Sequence, residues 1–415
     1  MRLRSVDRAM PSTLPDGEPA PRNGALPASA LVGASARPLG IYLHVPFCAT
    51  RCGYCDFNTY TAAELGDGVS RETYDDLVVR ELELARQVLA GDNRPVSTVF
   101  VGGGTPTLLE PRQLARMLSA VDDLFGLAPD AEVTTESNPE SVDRSALAGL
   151  RASGFTRMSF GMQSAREHVL AVLDRTHTPG RVQEVVADAR AVGFDHVNVD
   201  LIYGAPGESD DDWRASLDAA IETGADHVSA YSLIVEEGTR LAAQVRRGEL
   251  PMPDDDVLAD RYLMADEALS AAGFSWYEVS NWSRTDSGRC RHNLLYWTGG
   301  DWWGAGPGAH SHVGGVRWWN VKHPAAYGQR LATGSSPAQA REVLDADARY
   351  SEDVLLHARL RDGLPLDVLT RAGVDGARMA VGDGLVEETE LAAGRVVLTL
   401  RGRLLADAVV RMLLD

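Results

Sequence analysis

Between Leu39 and about Ser280, short β-rich runs alternate with amphipathic helical stretches, and no other feature of the chain restricts its fold as strongly. The alternation argues for parallel βα units rather than separate all-α and all-β layers. Strands read at 39–45, 96–101, 131–136, 156–160, 196–202, 227–233 and 275–279. Helices fall between them, as at 69–90 with Leu77, Leu82, Leu84 and Leu89, and at 208–223 after Pro206–Gly207. Such a series closes into a full or partial barrel and gathers function at the C-terminal ends of its strands. At 415 residues the chain is long enough for two or three domains.

The cysteines narrow the chemistry. Three of the four, Cys48, Cys52 and Cys55, form a C-x3-C-x2-C array directly after the first strand. Three thiolates hold three irons of a cubane cluster and leave the fourth open, whereas complete cysteinyl ligation takes four. A structural zinc site with His44 as its fourth ligand is the competing reading. Three clustered cysteines with no signal peptide argue against a disulfide framework and for a reducing compartment.

The array and its flanks, Y-x-H-V-P-F-C before and Y-C-D-F after, resemble the cluster loop of the radical S-adenosylmethionine (SAM) superfamily, in its oxygen-independent coproporphyrinogen oxidase branch. The resemblance implies an α/β fold built on a partial (β/α) barrel. It also implies a [4Fe-4S] cluster whose open iron is chelated by the amino and carboxylate groups of SAM, which is then cleaved reductively to a 5′-deoxyadenosyl radical.

Other motifs sit at strand ends. Val99–Thr107 reads VFVGGGTPT, three glycines that let backbone groups approach a ligand, although a tight βα turn needs glycine on steric grounds alone. Glu136, Gln163 and Asp200 end or follow three consecutive strands, where a lone polar residue is ordinarily a helix cap or a solvated loop group. Three aimed at one mouth favour a shared ligand. By resemblance, Gly103, Gly104 and Thr105 match the motif for the SAM amino group. Glu136, Gln163, Arg175 and Asp200 match SAM-binding residues, and Tyr42 and Tyr54 match positions near the adenosyl group.

From Trp276 to Asn320 the composition changes: seven of the eight Trp fall here, with His292, His310 and His312, and His323 just beyond. Flat side chains beside glycine-rich turns suit a planar apolar ligand such as a porphyrin, and an aromatic subcore that closes the barrel is the competing reading. Within this segment His292, Asn293, Tyr296 and Trp297 form H-N-x-x-Y-W, which resembles the motif that sets HemW-type haem chaperones apart from the oxidases. On a helix Tyr296 shares a face with His292. These four and Cys290 are the haem-binding candidates, although a buried free thiol is the commoner role for a lone cysteine. His310, His312 and His323 read as structural.

The ends of the chain carry little chemistry. Residues 1–38 are rich in Pro, Ala, Gly and Ser, lack periodicity and read as a disordered tail. The rest divides into a barrel core over 39–280, an aromatic and His-rich segment over 281–345 that packs on it, and a small winged-helix-like domain over 346–415. In that last part, helices read at YSEDVLLHARL and PLDVLTRAG, a strand pair at GLVEE and VVLTL, and a final helix at RLLADAVVRMLL. Residues 350–415 hold eight Arg against eleven Asp plus Glu, and the whole chain carries a net charge of −19. Both are the wrong sign for nucleic acid. No apolar run approaches the ~20 residues of a membrane span, which places the chain in the cytoplasm, at most peripheral to a membrane.

The resemblance therefore implies a cytoplasmic haem chaperone, monomer or homodimer, that carries a [4Fe-4S] cluster and SAM. Its cargo is haem and its partners are haem-acceptor proteins such as respiratory enzymes at the membrane. The alternative is a radical enzyme acting on a porphyrin or porphyrinogen, either coproporphyrinogen III oxidase or a related methyltransferase. One departure weighs against the oxidase: its array continues to a further cysteine two places after the third, where this chain has Phe57.

Overall fold

A computed structural model describes residues 17–65 and 69–414. One sheet of thirteen strands organises the chain. They are β1 (Glu18–Pro19), β2 (Leu39–Val45), β3 (Val96–Gly103), β4 (Leu127–Ser137), β5 (Arg157–Gln163), β6 (His196–Tyr203), β7 (His227–Ser232), β8 (Ser275–Glu278), β9 (Asn281–Ser283), β10 (Asp301–Ala305), β11 (His310–Val313), β12 (Val316–Asn320) and β13 (Ala338–Val343). Strands β10, β2, β3, β4, β5, β6 and β7 lie side by side and parallel. Beyond β10 the sheet continues antiparallel through β11, β12, β13 and β1, and beyond β7 through β9 and β8. The edges β1 and β8 do not pair with each other among the described residues, so the barrel is partial and open.

The period of two along β2 explains both faces. Leu39, Ile41, Leu43 and Val45 enter the main hydrophobic core with Val78 and Leu82 of the helix Tyr74–Val88. Gly40, Tyr42 and His44 pair in register with Thr98, Phe100 and Gly102 of β3 and share the opposite, inner face. The expected strands match the observed ones within a few residues, because one face of each repeats apolar residues at period two.

Three expectations need correction. The disordered reading of 1–38 covers residues 1–16, which lie outside the described residues, and residues 17–38, which are ordered. Glu18–Pro19 pairs with β13, and Ala30 is fully buried where Gly314 leaves no room for a Cβ. The Arg37 guanidinium donates to the Val32 and Ala30 carbonyls and to Asp301, which also binds Arg94 at 2.9 Å and accepts from Gly314 N–H at 2.8 Å. These partners lie some three hundred residues ahead, so local periodicity carries no trace of them.

The aromatic segment does not pack on the barrel as a separate layer but extends its sheet, with β10 parallel to β2. Trp297 and Trp302 are half-buried, and its other indoles fill the interior: Trp282, Trp303, Trp318 and Trp319 are buried, the middle two edge to face at 4.9 Å. They are core rather than a wall for a planar ligand.

The C-terminal part has its own core around Val354, Leu364, Val396 and Val409. Its strand pair is Leu364–Pro365 with Arg395–Val396, while Val386 and Leu398 form only an isolated bridge. The second helix starts at Arg371, six residues later than the sequence suggests, because Thr370 supplies the N-cap to Gly373 N–H.

Asp301 is completely buried between two guanidinium groups, and removing one partner of such a cluster leaves the others uncompensated. Asp301→Ala is expected to lower unfolding stability by about 3–5 kcal/mol, read from urea denaturation, and to speed proteolysis in residues 17–38.

Candidate functional site

At the C-terminal ends of the parallel strands the backbone shapes a cavity of about 670 Å³. The cysteine loop leaves β2 through Pro46 and Phe47, and its entry is laced to the glycine turn after β3: Gly104 N–H donates to Val45 O and Thr105 N–H to Phe47 O. Gly103 takes φ +114°, and a Cβ at Gly104 would overlap the Phe47 carbonyl and press on Cys48 Sγ. Glycine is required here by close approach as well as by the turn. The middle of the loop is held by Gly53 N–H on Leu173 O and Leu241 N–H on Gly53 O.

Cys48, Cys52, Cys55, Tyr54, Gly103, Gly104, Thr105, Glu136, Gln163, Arg175 and Asp200 all line this one cavity. Tyr42 does not. It points inward from β2, stacks on Phe100 at 6.4 Å and contacts His44 Nδ1 at 3.0 Å. Tyr42 therefore stands behind the glycine turn rather than in the cavity wall.

Charge is arranged with two acids on one side and a base on the other. Glu136 Oε2 accepts from Gly103 N–H at 3.0 Å; burial first, and the Asp200 charge second, push its carboxyl up to about 8. Asp200 accepts from Ser159 Oγ at 2.8 Å and Asn198 Nδ2 at 2.7 Å, and burial raises it too. Arg175 donates to Gly161 O at 2.7 Å and approaches Cys52 Sγ at 3.7 Å, while its buried Nε has no partner. Gln163 at φ +65° and Asp174 at φ +52° are the non-glycine residues with positive φ among the described residues, and both line the cavity. Backbone strain of this kind collects at ligand sites.

These residues fit the implied groups. Three free thiols face the cavity, with burial raising Cys48 and pushing Cys55 up to about 11, so iron binding would release their protons. The acid pair suits a cationic group and the orphaned guanidinium nitrogen an anionic one, as a sulfonium-bearing amino acid offers. His44 is unavailable as a fourth zinc ligand: it is buried, its Nδ1 meets Tyr42 and its Nε2 meets Asn58 O at 2.9 Å.

The haem candidates lie elsewhere. The helix Arg291–Trp297 closes the opposite end of the open barrel, beside Gly40 and Thr98 near the start of the parallel strands. His292 is buried, with Nδ1 2.8 Å from Thr98 Oγ1 and Nε2 2.8 Å from Tyr296 Oη, and burial lowers its pKa to about 3. Its backbone N–H and that of Arg291 donate to Glu132. Cys290 is buried 3.7 Å from the same carboxylate, and burial raises its thiol. Of the remaining histidines, His312 bridges Gly300 O and Gly315 N–H, and His323 caps the helix Pro324–Ala332.

Sequence reading missed Ser159, Asn198 and Tyr231 as partners of Asp200 and the cavity. The signal was present for Asn198, two residues before Asp200 and so on the same strand face.

The profile of the Radical SAM superfamily matches residues 42–220. In solved structures, coproporphyrinogen III oxidase (HemN) from Escherichia coli, described as a radical SAM enzyme, superposes with a TM-score of 0.77 at 25% identity, covering 94% of this chain and 93% of that one. The fold and site thus define a radical SAM protein. Among curated relatives, the haem chaperone HemW of Mycobacterium tuberculosis strain H37Rv is 59% identical over 91% of this chain and 95% of its own length. HemW of Bacillus subtilis is 30% identical over 89% and 97%. The chain belongs to the HemW family.

Gly104→Ala is expected to cut iron and sulfide incorporation on anaerobic reconstitution several-fold, with the circular dichroism spectrum unchanged. Glu136 gives a pH signature in the cofactor-free protein. Its folded-state pKa is raised, so the stability it contributes is fully present below the unfolded value near 4.5 and is lost as pH rises through about 8. Glu136→Gln should flatten the fall in melting temperature between pH 5 and 9 relative to wild type.

Proposed function

We propose that the protein is a haem chaperone that binds haem and delivers it to haem-requiring acceptor proteins, carrying a [4Fe-4S] cluster and SAM. The observation that carries this reading is the 59% identity to a haem chaperone over nearly the whole of both chains. The H-N-x-x-Y-W stretch at His292–Trp297 and the placement of Phe57, exposed at the cavity where the oxidase array continues to a cysteine, support it.

Cys48, Cys52 and Cys55 would hold the cluster through three thiolates, leaving one iron open to SAM. The cluster and SAM together supply one-electron reductive chemistry when bound. Glu136 and Asp200 would offer negative charge to a cationic part of SAM, Arg175 positive charge to its carboxylate, and the backbone of Gly103–Thr105 would take its amino group. Haem-binding groups come from Cys290, His292, Asn293, Tyr296 and Trp297, of which Cys290, His292 and Tyr296 carry an atom able to ligate iron. Both ring nitrogens of His292 are engaged, so an iron reaches Nδ1 only after the helix Arg291–Trp297 moves off Thr98, and Nε2 only after the Tyr296 side chain turns away within that helix. The acceptors are respiratory enzymes, reached from the cytoplasmic side of the membrane. No described helix is long and apolar enough to cross a membrane.

A second reading, a radical enzyme on a porphyrinogen, is favoured by the close superposition with HemN. Anaerobic incubation of reconstituted protein with SAM, reductant and coproporphyrinogen III separates the two. Stoichiometric protoporphyrinogen would reverse the ranking.

A haemin titration of the purified protein should give a saturable haem absorption band that weakens at least tenfold in apparent affinity in His292→Ala and is read against Cys290→Ala. Absence of a saturable band in wild type ends the chaperone reading.

A further inference from the structure

Between the cavity and the helix Arg291–Trp297 runs a set of buried side chains that joins the two sites. Asn198, His227 and Tyr277 are 4%, 1% and 1% exposed, so water cannot replace a lost partner at any of them. Cys290 N–H donates to Tyr277 Oη at 3.2 Å. Tyr277 Oη lies 2.8 Å from His227 Nε2, His227 Nδ1 lies 2.6 Å from Asn198 Oδ1, and Asn198 Nδ2 donates to Asp200 Oδ1 at 2.7 Å. Asp200 lines the cavity.

The chemistry of the groups sets the direction of every proton. Asn198 turns its amide nitrogen to Asp200 and to Ser159 Oγ, which leaves its oxygen for His227. His227 Nδ1 must therefore carry a hydrogen. Burial keeps the imidazole neutral, so Nε2 has a lone pair and accepts a hydrogen bond from the Tyr277 hydroxyl. The Tyr277 oxygen is then free to accept from Cys290 N–H. Each link donates toward the cavity and the last acceptor is a carboxylate. Hydrogen bonds in such a chain polarise one another, and a charged terminal acceptor strengthens the final link most.

At the far end the chain holds the residue that enters the helix carrying His292. Glu132 takes the next two backbone N–H groups, of Arg291 and His292. Freeing His292 Nδ1 from Thr98 means loosening this whole end of the helix, including the Cys290 bond to Tyr277.

We propose that Tyr277 and His227 are positioning residues that tie the helix Arg291–Trp297 to the charge on Asp200, so that a cation held by Glu136 and Asp200 tightens the helix and opposes haem capture by His292. The proposal rests on the reading of His292 as a haem ligand. Asp200 and Glu136 are two acids buried together, and a positive group between them favours both carboxylates. The ionised Asp200 strengthens its bond from Asn198, and the directional chain passes that gain to Tyr277 and Cys290. By linkage, whatever SAM does to haemin affinity haemin must do to SAM affinity.

The test uses full-length protein with its cluster reconstituted anaerobically, titrated with haemin with and without saturating SAM. Wild type should bind haemin about tenfold more weakly with SAM present, and in Tyr277→Phe, which removes one oxygen and keeps the ring, the ratio should fall to within about twofold. Equal wild-type affinities overturn the proposal and leave the chaperone reading intact, and an undiminished ratio in Tyr277→Phe also overturns it. Hydrogen exchange supplies a readout that needs neither haem nor a folded variant. SAM should slow exchange of the backbone amides of 290–297 in wild type several-fold, and unchanged exchange there overturns the proposal even if no haemin binds.

Discussion

Burial of polar groups on the inner face of a parallel sheet is the constraint to which the rest of the molecule answers. Glu132, Arg157, Asn198 and His227 are buried on that face, and Glu136 and Asp200 on the same face line the cavity at its mouth. A buried polar group without a partner costs several times what a satisfied one contributes. At one end the helix Arg291–Trp297 supplies partners: its backbone to Glu132, His292 to Thr98. Just before it, Gly288 O receives Arg157. At the other end partners are incomplete. There Arg175 keeps an unsatisfied nitrogen and two acids face each other, which is the condition of a site that a charged ligand completes.

The open barrel follows from the same constraint. A closed barrel would fill its interior with its own side chains, whereas here β10 and its antiparallel extension carry the sheet away from β2 and leave a wide mouth. The tryptophans and the Asp301 cluster with Arg37 and Arg94 anchor that extension, so the aromatic segment acts on the site by holding the sheet edge and the floor helix in place. Loop, glycine turn and the helix Arg291–Trp297 all touch β2 or β3.

Much of this was legible residue by residue. The strands declared themselves because their outward face repeats apolar residues at period two, as in Leu39, Ile41, Leu43 and Val45. Eleven of the twelve residues assigned to the cluster and SAM lie around one cavity because strand C-terminal ends converge in any βα barrel, whatever the order of residues between them. Tyr42 escaped because its strand position allows either the cavity wall or the interior, and only the packing of Phe100 and His292 chooses. Residues 17–38 escaped because their order is lent by Asp301, Gly314 and β13, none of them local.

The sequence by itself determined the βα alternation, the three-thiol loop and the family motifs, since each is a matter of residue type at short spacing. Tertiary structure alone decided where those motifs stand with respect to one another. His292 looked like a ligand from its neighbours in the chain, yet in the fold both its ring nitrogens are taken by Thr98 and Tyr296 and it lies at the end of the barrel away from the cysteines. The reason is physical: which groups a buried imidazole meets depends on contacts formed across 194 residues of intervening chain, and no local pattern encodes them.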